Sequence, residues 1–346
     1  MPEWSLAFFV SIGVVLILTP AVIFLANKTG AVDEPDARKV HTYPIPRIGG
    51  VGIYLAFLIS LIAVELIAHL GRENLYEIRG LLISGTLMFL VGLIDDYKNL
   101  PAKVKLLGQI IAAAILVVIF NVRVDFVTNP FGDFIYLEWL AIPATIFWLV
   151  GLTNTVNLID GLDGLAAGVC GLAAVTIFLV AMEQNFFLIT ILTAALAGAA
   201  FGFLFYNTNP ARIFMGDSGS LFLGFMLASI SIIGVVKSAA TIALIVPILA
   251  LGIPILDTTF AILRRFIGGQ PIFKPDKGHL HHRLLKLGFT QRQAVFLMYV
   301  ISAMLGLSAI ALTEVSNSIA VIILIVVIVS IIYGARKLGI LRLAKR

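Results

Sequence analysis

The chain has 346 residues, of which 60% are hydrophobic and only 12% charged. A soluble domain carries about 25% charged residues, and the shortfall here runs along the whole chain, which excludes a soluble domain with one anchor. A single cysteine, Cys170, excludes a disulfide framework. The net charge of +5 raises nucleic acid as a partner, a question that only the placement of the charges answers.

A membrane span needs about 20 mainly apolar residues. In chain order such segments cover residues 5–25, 49–70, 79–94, 105–122, 137–152, 164–182, 186–205, 219–236, 239–263, 294–313 and 318–334. The first is too long for a signal-peptide core and has no basic segment before it, so it reads as a retained helix. The mixed stretch from Asp125 to Glu138 reads as an interfacial element. The expected fold is all-α: one polytopic membrane domain over residues 1–346, with about eleven transmembrane helices and a basic tail at 336–346.

Place the N-terminus outside, and the loops after the odd-numbered spans lie inside with the C-terminus. Of the 24 Lys and Arg residues, only Arg72, Arg79, Arg123 and Lys237 then fall outside, a strong positive-inside signal. The basic residues therefore report topology and contact with anionic lipid headgroups. Nucleic acid is not an expected partner; the lipid bilayer is.

Every dense polar cluster falls on that inner face. The first runs from Asp33 to His41 and continues through Pro44-Ile45-Pro46-Arg47-Ile48-Gly49-Gly50. Asp95-Asp96 follows the third span, with Lys103 and Lys105 close behind. Next come Asn154 to Gly164, then Asn207 and Phe214 to Ser220, then Arg264, Arg265 and His279-Leu280-His281-His282-Arg283. One-sidedness points to a site at one membrane surface, whereas a secondary transporter places ionisable groups near span centres.

Each cluster also has a plain structural reading. Adjacent acids such as Asp95 and Asp96 cap helices in many proteins, but acids directly after an apolar run are costly and are functional candidates. Asn157, Asp160 and Asp163 recur every three residues, as helix caps or as one polar face. Asp217 reads equally as a turn acid, an N-cap or a site residue. Asp257 pairs with Arg264 or Arg265, or joins the chemistry. Glu65 reads as snorkelling or structural. His281 and His282 are adjacent, not spaced i, i+4 as a helical metal pair needs, so phosphate or headgroup binding beside Lys277, Arg283 and Lys286 is favoured over zinc.

Carboxylate and amide oxygens suit a hard cation such as Mg²⁺, commonly held by one or two carboxylates plus substrate phosphates. Lysine and arginine then offset phosphate charge. No phosphate-binding loop, dinucleotide fingerprint or serine-hydrolase elbow is present. Phosphoryl transfer needs mainly positioning and charge stabilisation, which this inventory supplies.

Six segments, in order over residues 19 to 300, resemble the polyprenyl-phosphate N-acetylhexosamine-1-phosphate transferases. They are Pro44 to Gly50, Asp95-Asp96, Asn154 to Gly164, Phe214 to Gly219, Pro254 to Arg265 and Gln270 to Gly288. The resemblance implies about ten or eleven helices around a cytoplasmic cleft in a bacterial inner membrane. It implies Mg²⁺ as cofactor, with Mn²⁺ as an alternative. It also implies attack of the lipid phosphate on the β-phosphorus of a uridine-diphosphate sugar, releasing UMP. The implied metal ligands are Asp217, Asn157 and Asp96. The implied catalytic residues are Asp95, Asp96, Asp160, Asp163, His281 and His282. Lys105, Lys103, Arg47 and His279 are the phosphate-binding candidates, and Asn207, Phe214, Asp163 and Lys39 the nucleoside-binding ones. A homodimer is compatible with this family.

The peptidoglycan branch, which transfers phospho-MurNAc-pentapeptide, typically shows Gly-Thr-Pro-Thr-Met-Gly-Gly and three consecutive histidines. This chain has Pro-Ile-Pro-Arg-Ile-Gly-Gly and His-Leu-His-His-Arg instead. That pattern resembles the N-acetylglucosamine type, which implies UDP-GlcNAc as donor, and the family resemblance implies undecaprenyl phosphate as acceptor, as in the enzymes that initiate teichoic-acid, O-antigen or enterobacterial common antigen synthesis. A phosphate monoester is largely ionised near neutral pH, so direct displacement is preferred over a covalent intermediate on Asp95.

Overall fold

The computed structural model describes residues 2–35, 43–68, 72–128, 134–237, 245–267, 269, 279–315 and 317–337. The helices are α1 (Glu3–Thr29), α2 (Gly50–Ala68), α3 (Arg72–Lys98), α4 (Ala102–Ala114), α5 (Ala141–Ile159), α6 (Leu165–Glu183), α7 (Phe187–Asn207) and α8 (Gly216–Lys237). They continue with α9 (Ile245–Ala250), α10 (Gly252–Ile267), α11 (Leu280–Lys286), α12 (Gln291–Glu314) and α13 (Asn317–Lys337). Among the described residues, nine helices are long and apolar enough to cross a membrane, and Ser318–Gly334 is a shorter apolar helix.

The expected span at 239–263 takes a different form. Residues 238–244 lie outside the described residues, and the remainder divides into α9 and α10. Pro247 and Pro254 each remove a backbone donor, and Asp257, Arg264 and Arg265 break the apolar run. The all-α expectation also needs a small amendment. Short strands β1 (Val32–Asp33) and β2 (Ile45–Pro46) pair antiparallel, as do β3 (Phe126–Thr128) and β4 (Phe134–Tyr136). The second ribbon occupies the segment expected to be interfacial.

α7 and α8 form the centre: 83% and 89% of their spanning windows are buried, against 22% for α1. Their composition explains this. Lipid tails supply little drive for helix association, so small residues that let backbones approach must supply packing. α7 carries Ala194, Ala195, Ala197, Gly198, Ala199, Ala200 and Gly202, and α8 carries Gly219, Ser220, Gly224 and Ala228. Two buried hydroxyls find carbonyls: Ser229 Oγ donates to Phe225 O at 2.7 Å, and Ser11 Oγ crosses from α1 to Ala195 O at 2.8 Å.

α1 packs on α2 and α7, α6 on α7 and α12, and both α3 and α5 on α8. The polar connections after α1, α3, α5 and α7 meet at one end of this bundle. Tyr97 shares a hydrogen bond with Thr29 at 3.0 Å, Arg47 N–H donates to Ala31 O at 3.1 Å, and Gly164 N–H donates to Asn207 Oδ1 at 3.0 Å.

Gly92 sets how closely α3 approaches the start of α8. A Cβ there would overlap the Asp217 carbonyl and reach 2.6 Å from Ser218 Cα. Backbone cannot swing aside as a side-chain tip can, so Gly92→Ala is expected to cost about 1–3 kcal/mol and to lower the thermal unfolding midpoint in detergent. Gly151→Ala, where an added Cβ meets nothing within 4 Å, is the control and should leave the midpoint unchanged.

Candidate active site

The segment Pro44 to Gly50 lies along the chain that enters α8. Phe214 N–H donates to Pro46 O at 2.7 Å, Gly49 N–H to Phe214 O at 3.0 Å and Gly50 N–H to Met215 O at 2.8 Å. Gly216 then turns into the helix with φ 69°, a conformation that favours glycine. A Cβ on it would also come within 2.6 Å of Asp96 Oδ2.

Asp96 explains why the helix begins there. Its two oxygens accept the Asp217 N–H at 2.8 Å and the Ser218 N–H at 3.0 Å. The first N–H groups of a helix lack partners within it, and its N-terminus favours a negative charge. A carboxylate from α3 thus caps α8, and it is only 5% exposed.

Beside this cap, three helices bring oxygen ligands to one cation. Lys105 Nζ on α4 forms a close ion pair with Asp217 Oδ2, and lies 3.3 Å from both Asp95 Oδ2 and Asn157 Oδ1. Asn157 Nδ2 donates to Asp217 Oδ1 and to Ser220 Oγ, each at 2.9 Å, which turns its carbonyl oxygen toward Lys105. Asp95 Oδ1 accepts the Leu100 N–H at 2.6 Å, so that carboxylate is held on both sides. One turn from Lys105 and from Asn157, the amides of Gln109 and Asn154 exchange hydrogen bonds at 3.2 and 2.6 Å and hold α4 against α5.

Asp217 also borders a cavity of about 500 Å³. Arg47, Asp96, Asp160, Asp163, Asn207 and Phe214 line it, as does His282 on α11. His281 packs on the same loop, since a Cβ on Gly161 would come 2.7 Å from its Nε2. The site therefore has a cavity wide enough for a substrate and, next to it, an oxygen-rich cluster around one positive charge.

Several expected residues have tasks that composition does not reveal. Asp96, expected on the metal and in catalysis, has both oxygens on backbone N–H groups and holds Asp217 in place. Arg47, expected on phosphate, donates to the Asp96 carbonyl and to Asn99 Oδ1 at 3.3 Å. Asp163 Oδ2 accepts from Ala211 N–H at 3.0 Å and Asn209 Nδ2 at 2.9 Å, tying down the loop after α7. Asn207 is 3% exposed, with one end on Gly164 and the other on Ile213 O. Lys103 is exposed and is not in the cavity wall. His279 is buried against Asp257. Lys39 lies outside the described residues.

Residues missed on the sequence include Asn209 and Gln291, which meet at 3.0 Å in the cavity wall. Ser220, inside the Phe214 to Ser220 cluster, has no expected role although it accepts from Asn157, and Gln109 is missed altogether. Gln109, a buried amide in an apolar helix one turn after Lys105, was the available signal. Among the described residues, no three His, Cys, Asp or Glu side chains form a metal group. The convergent set around Lys105 is two carboxylates and an amide.

Burial and the nearby carboxylates of Asp217, Asp96 and Asp163 push Asp160 up to about 8. Burial and His282 push His281 down to about 4, so its ring is neutral at pH 7. A raised aspartate contributes stability below its unfolded value of 3.8 and loses it as pH rises toward about 8. Asp160→Asn removes this dependence. The variant's thermal midpoint should gain on the wild type between about pH 5 and pH 8; a constant difference across that range would contradict the assignment.

The model of glycosyl transferase family 4 matches residues 78–235. A probable undecaprenyl-phosphate N-acetylglucosaminyl 1-phosphate transferase of Bacillus subtilis is 41% identical, over 93% of this chain and 88% of its own length. A decaprenyl-phosphate N-acetylglucosaminephosphotransferase of Mycobacterium leprae is 37% identical over 82% and 77%. A phospho-N-acetylmuramoyl-pentapeptide-transferase of Halalkalibacterium halodurans is 31% identical over 89% and 96%. With its apolar helices and one-ended polar site, the chain is a multi-pass membrane enzyme that belongs to the polyprenyl-phosphate N-acetylhexosamine-1-phosphate transferases of glycosyl transferase family 4.

Proposed function

We propose that this enzyme transfers GlcNAc-1-phosphate from UDP-GlcNAc to undecaprenyl phosphate at the cytoplasmic face of a bacterial inner membrane, with Mg²⁺ as cofactor. The observation that carries the reading is the cluster of Asp217, Asp95 and Asn157 around Lys105, beside a cavity at one end of an apolar bundle. The relatives named for N-acetylglucosaminyl 1-phosphate transfer favour the sugar, and the positive-inside count favours the face.

In this reaction an oxygen of the lipid phosphate bonds to the β-phosphorus of the donor. The bond from that phosphorus to the α-phosphate oxygen breaks, and UMP leaves with the electron pair. Asp95, held by Leu100 N–H and Lys105, orients the attacking phosphate. Little basicity is needed, because that phosphate is already mostly ionised. Lys105 offsets the charge gathered on the phosphates. Asp217 and the carbonyl oxygen of Asn157 would hold Mg²⁺, which supplies a hard positive charge that neutralises the diphosphate. Two carboxylates and an amide converging on an ammonium group fit such an ion, with phosphate oxygens completing its shell. His282 and Phe214 border the space in which the donor would lie.

The test is UMP release by purified protein given undecaprenyl phosphate, Mg²⁺ and either UDP-GlcNAc or UDP-MurNAc-pentapeptide. Release from UDP-GlcNAc alone is expected. Release only from the pentapeptide donor would assign the peptidoglycan reaction, and none from either would reject the proposal. Asp95→Asn should lower kcat by about 10²-fold, the scale of misplacing a reacting group, while the KM for UDP-GlcNAc changes little. A retained kcat would remove Asp95 from the chemistry.

A further inference from the structure

Asp257 lies on α10, away from the carboxylate cluster, yet it is buried and both of its oxygens are engaged. Oδ2 meets His279 Nδ1 at 2.9 Å, and Oδ1 accepts the Leu280 N–H at 2.7 Å. Leu280 is the first residue of α11 and His279 its N-cap, whose own side chain makes no capping bond. The carboxylate of a different helix therefore does what the N-cap side chain does not. A helix start has unpaired N–H groups and attracts negative charge, so one buried aspartate sets both the position of α11 and the rotation of the His279 ring.

That ring is the first of a stack. His279 and His281 lie parallel, 5° apart with centroids at 5.8 Å, and His281 meets His282 at 4.3 Å. His281 rests on Gly161, and His282 opens into the cavity that Asp217 borders. α11 has seven residues and two turns, too short to hold itself in place. At its other end Leu287 and Gly288 turn away toward α12.

We propose that Asp257 is a positioning residue of the transfer reaction, which fixes His282 over the substrate cavity through His279 and the N-terminus of α11. It touches no reacting atom. The inference rests on the transferase reading above, because the consequence of moving His282 is read in that reaction.

Asp257→Asn is the informative change. The amide keeps an oxygen for Leu280 N–H but puts an N–H donor against His279 Nδ1, so the imidazole must change tautomer or rotate. UMP release from UDP-GlcNAc is measured for the wild type, Asp257→Asn, His282→Ala and the double variant, together with each thermal midpoint. The expected result is a kcat about 10-fold lower or more in Asp257→Asn, the scale of losing an outer partner of a functional histidine, with KM for the donor within about twofold. The double variant should be no slower than His282→Ala alone, because residues acting as a unit are not additive. Asp257→Glu, which keeps the charge, should recover part of the rate.

Multiplying losses in the double variant would overturn the proposal. So would an unchanged kcat in Asp257→Asn, or a lowered midpoint with normal kcat in the folded protein. A wild type that releases no UMP would reject the transferase reading instead, and the two failures are thereby distinct.

Discussion

The close pairing of Lys105 with Asp217 is the interaction on which the site depends. Two carboxylates and an amide oxygen share a small volume at the end of an apolar bundle. Like charges so near each other oppose ionisation, and an opposite charge within a few ångströms restores it. The ammonium of Lys105 supplies that charge. Its presence requires α3, α4, α5 and α8 to arrive at the same end, and the surrounding contacts serve that requirement. Gln109 and Asn154 hold α4 to α5, Asp96 caps α8, and Pro44 to Gly50 lies along the approach to Asp217. The site is built from helix ends, where unpaired backbone groups and fixed dipoles are already available.

Much of the architecture follows from the amino-acid sequence for simple reasons. Long apolar runs in a chain with 12% charge must be helices in lipid, because every backbone group has to be satisfied within the segment. The expected spans from residue 5 to 236 each overlap one of α1 to α8, but the ends differ: α3 begins at Arg72 before the expected 79, and α5 runs past the expected 152 to Ile159, so that Asn154 and Asn157, expected in a loop, lie within it. The stretch from 239 to 263 departs from expectation because total hydrophobicity does not register that Pro254 has no N–H to offer the carbonyl of Ala250, where α9 ends and α10 begins. The short ribbons were likewise hidden, since two or three residues per strand leave no periodicity to detect.

At the site, residue type was easier to read than task. Asp217, Asp95, Asn157 and Lys105 come together as a group, and all four stood out as polar residues at the ends of apolar runs. Asp96 and Asp163 stood out for the same reason, yet their oxygens serve backbone N–H groups and a loop amide. A carboxylate that caps a neighbouring helix and one that faces a substrate have the same local sequence signature. They differ only in the tertiary partner. Asp257 shows the same limit: Arg264 and Arg265 were its nearest partners in sequence, whereas His279, 22 residues away, is its partner in space.

The central claim is that Asp217 and Asn157 form an oxygen site for a divalent cation that becomes complete with the donor's phosphates. Electron paramagnetic resonance of Mn²⁺ bound to the purified protein, titrated with and without UDP-GlcNAc, tests it most directly. Mn²⁺ should bind more tightly when the nucleotide sugar is present, and Asp217→Asn should abolish that gain in a protein that remains folded. Equal, donor-independent Mn²⁺ binding in the wild type and in Asp217→Asn would contradict it.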